Sequence, residues 1–231
     1  MAEDWCNYLY MNGIISDEMS TDTSGNIISV CRFSSPFVQE RLYGALTSDI
    51  VGDRFPIPAL EILDTLEGVF EAERLNLTAL LQRYRDYLLR LKAKGLNPWK
   101  DQPRRADLNY REVCLHTTEA VGHFHLYAWL QNTVGHKCIV SPEFPTGNGK
   151  VDIHLKCGQL EGIIEVKSFT NASAIENNVA QAARYAQQLN KDSVTIALFV
   201  PSDDENVQKQ LFREQVVSNV TVTVVPIGWM G

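Results

Sequence analysis

Apolar positions recur along the chain at two spacings, and each change of spacing marks a change of element. Residues 3–12 predict a short helix, which Gly13 ends. Apolar segments at Gly13–Ser16 and Ile27–Phe33 predict two strands, with the polar stretch TDTSGN as the turn between them. Ser34-Ser35-Pro36 predicts a helix start, because a first-turn proline lacks only an N–H that would go unpaired there; FVQERLYGALTSDIV follows it. PALEILDTLEG predicts a further short helix. LNLTALLQRYRDYLLRLKAKG predicts a longer one, with Leu77, Leu80, Leu81, Leu88 and Leu91 in one stripe and Gly95 as its stop.

From Ala106 to Val134 the pattern predicts one long helix, striped by Val113, Thr117, Ala120, Phe124, Tyr127 and Val134. A second stripe carries His116, Glu119, His123, Leu126 and Leu130, so Glu119 shares a face with a histidine on either side. Beyond Gly135 the spacing shortens. Strands are predicted at Lys137–Phe144, VDIHL, GIIEVKSF, Val194–Pro201 and Val220–Ile227, and helices at Ala174–Leu189 and Glu205–Gln215. Ser173-Ala174-Ile175-Glu176 fits a capping box, and the helix it opens carries Gln181, Tyr185 and Gln188 beside its apolar stripe. Helix, three strands, helix, strand, helix, strand is the order of an α/β domain with a mixed sheet flanked by helices.

The segment Leu96–Arg105, with Pro98, Pro103 and mixed charge, is the expected boundary. It divides a mostly helical N-terminal region, residues 1–100, from the α/β domain, residues 106–231. Helix, hairpin and helix at the start suggest a small winged-helix-like unit. Its last helix has Arg41 as its one basic residue, a poor basis for reading DNA.

Composition narrows the function classes. With 231 residues, 45% of them hydrophobic, the chain can build a sizeable core. The acidic start and the lack of any apolar run near 20 residues lead to the expectation of an intracellular protein, neither secreted nor membrane-inserted. Five cysteines, odd in number and scattered, argue against a disulfide framework or a zinc knuckle and for a reducing compartment. A net charge of -7 excludes a broad basic coat for nucleic acid, so any such grip must be local or supplied by a partner.

Residues 149–169, GKVDIHLKCGQLEGIIEVKSF, carry the chemistry. A hairpin would bring Asp152 near Glu165, and alternation on the second strand sends Glu165 and Lys167 to one face, away from Ile164 and Val166. Facing carboxylates repel unless a cation lies between them, and hard divalent cations favour such oxygen ligands. Two other constellations are present in the sequence: a zinc cluster of His116, Glu119 and His123, and a thiol nucleophile at Cys157 beside His154.

Asp152, a spacer and then Glu165-x-Lys167 resembles the PD-(D/E)XK nuclease superfamily. QAARYA, with Gln181 and Tyr185, resembles the polar pair on the helix after its E-x-K strand, and Glu119 resembles its helix-borne metal acid. The nearest likeness is to the nuclease-like domain C-terminal to some AAA-type ATPase domains, over roughly residues 107–201. One departure is the missing proline before Asp152, where the strand reads Lys150-Val151-Asp152.

The resemblance implies a restriction-endonuclease-like fold and a Mg²⁺-dependent nuclease acting on nucleic acid, most simply DNA, with Mn²⁺ able to substitute. Asp152, Glu165, Glu119 and the Val166 carbonyl would hold the metal. Lys167 would serve the attacking water and the phosphate, Gln181 and Tyr185 would position them, and His123 would support Glu119. The alternative is a catalytically silent module that binds nucleic acid or docks onto an ATPase partner, since no phosphate-binding Gly-Lys-Ser/Thr loop occurs in this chain.

Overall fold

The computed structural model describes residues 2–21, 27–35, 38, 41, 42, 45, 65–99, 111–145 and 150–229. The chain divides into two compact units, Met1–Asp49 and Ile50–Gly231. Most of the helix expected after Pro36, nearly all of the one expected in PALEILDTLEG, and residues 100–110 lie outside the described residues.

In the first unit, helix α1 (Ala2–Met11) ends at Gly13, whose φ of 67° is the left-handed conformation glycine adopts readily. Strands β1 (Ile15–Thr21) and β2 (Ile27–Phe33) form an antiparallel hairpin, with Ile15 opposite Phe33 and Thr21 opposite Ile27. β1 therefore runs five residues past its expected end. Its sequence, ISDEMST, alternates weakly, and pairing with β2 sets its length.

The second unit begins, in its described part, with a turn at Glu67–Val69 and helix α2 (Leu77–Ala93). The Asn76 side chain caps α2 by accepting the Ala79 N–H at 3.0 Å. Helix α3 (Arg111–Val134) follows, then a six-stranded mixed sheet built from β3 (Ile139–Pro145), β4 (Lys150–Cys157), β5 (Leu160–Ser168), β6 (Ser193–Val200), β7 (Arg213–Val217) and β8 (Val220–Gly228). Helix α4 (Ala172–Gln188) links β5 to β6, and the short helix α5 (Glu205–Leu211) follows β6. The strand order is β3-β4-β5-β6-β8-β7. β5, β6 and β8 run parallel, and the pairs β3·β4, β4·β5 and β7·β8 are antiparallel. The mixed sheet flanked by helices that the element order implied is present. Among the described residues, no helix is long and apolar enough to cross a membrane.

Helices cover both sheet faces. Ile175, Val179, Ala182, Ala183 and Ala186 of α4 pack on Ile163, Val194, Ile196 and Leu198. On the opposite face, a Cβ built at Gly162 would stand 3.0 Å from Leu77 of α2, and one at Gly122 of α3 would stand 2.6 Å from the Phe199 ring. Burial on both faces is why the central strands read as continuous apolar runs.

Four expectations are corrected. The boundary at Leu96–Arg105 does not separate α2 from the sheet: Lys92 Nζ binds Asp203 at 2.6 and 2.7 Å, and Tyr84 packs edge-on to Phe199. The cap of α4 is Asn171, which accepts the Ala174 N–H at 2.8 Å, while Glu176 of the expected capping box bonds Arg213 at 2.6 Å. The helix expected over Glu205–Gln215 ends at Leu211 and its residues 213–215 enter strand β7, because Ser218 and Asn219, with φ of 50° and 64°, form the two-residue turn that suits a hairpin into β8. Finally, Cys138 and Cys157 form a disulfide. The β3·β4 register, with Ile139 opposite Lys156, brings these two cysteines face to face although 19 residues separate them, a pairing the linear spacing conceals. Cys31 is free and exposed.

Candidate metal centre

The β4·β5 hairpin turns tightly at Gly158, whose φ is 66°, and pairs Cys157 with Leu160 through to Ile153 with Ile164. One residue further along this ladder come Asp152 and Glu165. Here the backbone pairing gives way to a side chain: Asp152 Oδ2 accepts the Val166 N–H at 2.7 Å. That bond fixes the Asp152 carboxylate against β5 and makes Val166, itself fully buried, the link between the two acids.

Glu165 and Lys167 share a strand face with Ile163, the α4 side of the sheet. Glu165 is 1% exposed, and its Oε1 is buried without a hydrogen-bond partner among the described residues. Burial, reinforced by the Asp152 charge and opposed by Lys167, pushes its carboxyl up to about 8. Lys167 Nζ stands 3.4 Å from Glu165 Oε2 and 3.5 Å from Asp152 Oδ2. Burial works against its charge, but Asp152, Glu165 and Glu119 together outweigh that and raise the ammonium above its ordinary range.

Helix α3 contributes two groups from adjacent turns. Glu119 Oε2 accepts the Ser168 N–H at 3.3 Å, which anchors the end of β5 just past Lys167. His123 Nε2 lies 3.0 Å from the backbone oxygen of Asp152, so the ring donates to it, and burial lowers the imidazole below its ordinary pKa. His123 thus steadies Asp152, where the sequence assigned it to Glu119. Gln181 and Tyr185 meet each other on α4, the Gln181 amide donating to the Tyr185 hydroxyl at 3.1 Å, and α4 covers the sheet face that carries Glu165 and Lys167.

Sequence reasoning missed Glu143. It falls between Pro142, opposite Ile153, and Phe144, opposite Val151, and so faces Asp152 across the β3·β4 ladder. Its φ of 53° is left-handed, unusual for a non-glycine residue inside a strand. Glu143 pairs with Lys150, and ligand atoms of His123, Glu143 and Asp152 all lie within 4.8 Å of one another. The available signal was a lone charge in the apolar strand IVSPEFP, which becomes informative only once the register is known.

Cys157 is tied up with Cys138, which removes the thiol nucleophile, and its supposed partner His154 lies 3.7 Å from Glu161. Of the zinc cluster, the His116 side chain lies outside the described residues, while Glu119 and His123 turn to Ser168 and Asp152.

A family model described as a domain of unknown function (DUF8371) matches residues 112–202. The matched stretch runs from α3 through β6 and contains Glu119, Asp152, Glu165, Lys167, Gln181 and Tyr185. No curated protein matches the chain.

Proposed function

We propose that this protein is a Mg²⁺-dependent nuclease of the PD-(D/E)XK type that hydrolyses phosphodiester bonds in nucleic acid, most simply DNA. The observation that carries this function is Glu165: a carboxyl 1% exposed, with one oxygen lacking a hydrogen-bond partner among the described residues, beside Asp152 and a buried lysine. Burying an unsatisfied carboxyl costs several kcal/mol, roughly, and a ligand that uses both oxygens would offset it. A divalent cation bound by Asp152, Glu165 and the Val166 carbonyl, with Glu119 extending the set, would acidify a bound water and polarise the phosphoryl oxygen.

Lys167 binds the scissile phosphate in this scheme. Its raised pKa keeps it an ammonium at neutral pH, which favours stabilising the developing charge over taking a proton from water. Asp152, held by the Val166 N–H and the His123 ring, keeps one fixed orientation for the attack. Gln181 and Tyr185 position water or phosphate from α4, the helix that packs over the same strand face. In hydrolysis the attacking water gives a proton to solvent and its oxygen bonds to phosphorus, while the leaving ester oxygen departs with the bonding pair of the broken P–O bond and takes a proton from solvent.

A net charge of -7 favours a second function, a silent module that binds nucleic acid or docks onto an ATPase partner. Cleavage assays on supercoiled, linear and single-stranded DNA and on RNA, with Mg²⁺ or Mn²⁺ against EDTA, separate the two. Activity should require metal and fall by about 10²-fold or more in Asp152→Ala and Lys167→Ala. No cleavage by the wild type would leave the silent module, and variants as active as the wild type would overturn the catalytic roles given to Asp152 and Lys167.

A further inference from the structure

Lys150 opens β4 two positions before Asp152, so both side chains leave the same strand face. Side-chain exposure there rises from 1% at Glu165 through 19% at Asp152 to 56% at Lys150. The opposite direction along β4 is closed, because His154 is 7% exposed and Lys156 and Lys191 beyond it both engage Glu161. The mouth of the site is therefore at Lys150. Glu143, which faces Asp152 from β3, pairs with Lys150, and a carboxylate oxygen of Glu143 lies within 4.8 Å of one of Asp152.

We propose that Lys150 is a substrate-binding residue whose ammonium takes the backbone phosphate next to the scissile one, and that Glu143 is the resident carboxylate which this phosphate displaces. The contact rests on the proposed action on nucleic acid and adds to it the group that grips the strand as it leaves the site. A phosphodiester presents one negative charge on two free oxygens, as a carboxylate does, so the exchange is like for like.

Three observations support it. A chain of net charge -7 needs a local grip on a polyanion, and Lys150 is an exposed ammonium at the open end of the strand that carries Asp152. Lys167, 15% exposed and drawn to Asp152 and Glu165, serves one phosphate, so a strand that continues outward needs another cation. Glu143 holds a φ of 53° between Pro142 and Phe144, a conformation that costs energy for a non-glycine residue and persists where the placement of a side chain matters. What that placement achieves is an anion on Lys150. Finally, more than half of the Lys150 side chain is in solvent, where an ion pair contributes little, so giving up the Glu143 carboxylate for a phosphate costs little.

The test is fluorescence anisotropy of labelled duplex DNA, single-stranded DNA and RNA titrated with the full chain in Mg²⁺, on an E165Q background that stops cleavage, with circular dichroism confirming each fold. Adding K150A should weaken binding. Because one phosphate contact is lost, the salt slope should fall by about 0.9 for duplex and about 0.7 for single strands, so the affinity gap should narrow by about 3-fold between about 50 and 200 mM salt. K150R should keep the background affinity and slope, and E143Q should bind more tightly. In the otherwise native chain, K150A should raise KM for cleavage with the same loss of salt dependence. Unchanged affinity and slope in K150A, in a chain that cleaves, overturns the Lys150 contact and leaves the nuclease. E143Q weakening binding as K150A does overturns the displacement of Glu143. Lys150-dependent binding by a native chain that does not cleave overturns hydrolysis and leaves the phosphate contact, and no binding of any of the three probes overturns both.

Discussion

Tyr84 and His125 show at the scale of single residues how this core handles polar groups. Both are 0% exposed; the Tyr84 hydroxyl shares a 2.8 Å hydrogen bond with His125 Nδ1, and Tyr87 stacks on the imidazole. Burial pushes His125 down to about 3. A histidine with a depressed folded pKa takes up its proton more readily in the unfolded chain, so its contribution to stability is complete above about 6.5 and is lost as pH falls toward 3. Thermal melts should show the midpoint falling between pH 7 and pH 4. His125→Gln should be less stable at pH 7 by about 1–3 kcal/mol and should lose less on acidification. An equal pH slope in both proteins would show that His125 is not held neutral. The same burial logic separates what residues reveal in sequence from what they hide. Asp152, Glu165 and Lys167 could be read in advance because alternation on one strand and a short hairpin are local rules. Glu143 and the Cys138–Cys157 disulfide could not, because both depend on the register of β3 against β4 across a connection of unspecified geometry.

At the scale of elements, long stripes and strong stops were legible: α2 spans Leu77–Ala93 with Gly95 in the left-handed region, and β2 begins and ends where its apolar run does. Strand β7 was not, since REQVV has neither a clear period nor more than five residues, and the Ser218-Asn219 turn is what recruits it to β8. Glycines in helices carry a different kind of information. Gly122 lies mid-helix in α3, where alanine would ordinarily favour the helix by about 1 kcal/mol. Here a Cβ would meet three Phe199 ring atoms at 2.6 to 2.8 Å, and that ring is wedged by Trp99 at 5.3 Å and Tyr84 at 6.4 Å. Overpacking should win: Gly122→Ala is expected to lower stability by about 1–3 kcal/mol, read as a lower urea midpoint with an unchanged slope. Because α3 carries Glu119 and His123, the same substitution should also weaken the proposed metal binding by shifting both groups away from β5.

For the molecule as a whole, the decisive question is where the site-bearing unit begins. Prolines and mixed charge at 96–105 suggested a start near residue 106, a local criterion for a long-range property. Contacts crossing that point are dense. Lys92 reaches Asp203 and the Gly228 carbonyl, Asn97 reaches the Trp229 carbonyl at 3.1 Å, and Leu77 covers Gly162 on β5. Trp99 donates to the Thr118 carbonyl at 3.2 Å, one residue before Glu119. A fragment of residues 106–231 would therefore lose one helical layer from the face formed by Phe199 and His125, exposing several aromatic rings at once. Each large core side chain uncovered costs about 1.5–3 kcal/mol of burial, and a domain's whole stability is only about 5–15 kcal/mol. Residues 50–231 should unfold cooperatively, with a near-UV circular dichroism signal and a single urea transition. Residues 106–231 should instead bind ANS and lose that near-UV signal. If the shorter fragment kept native near-UV dichroism and a single cooperative urea transition, α2 would be an accessory to the sheet rather than part of its core.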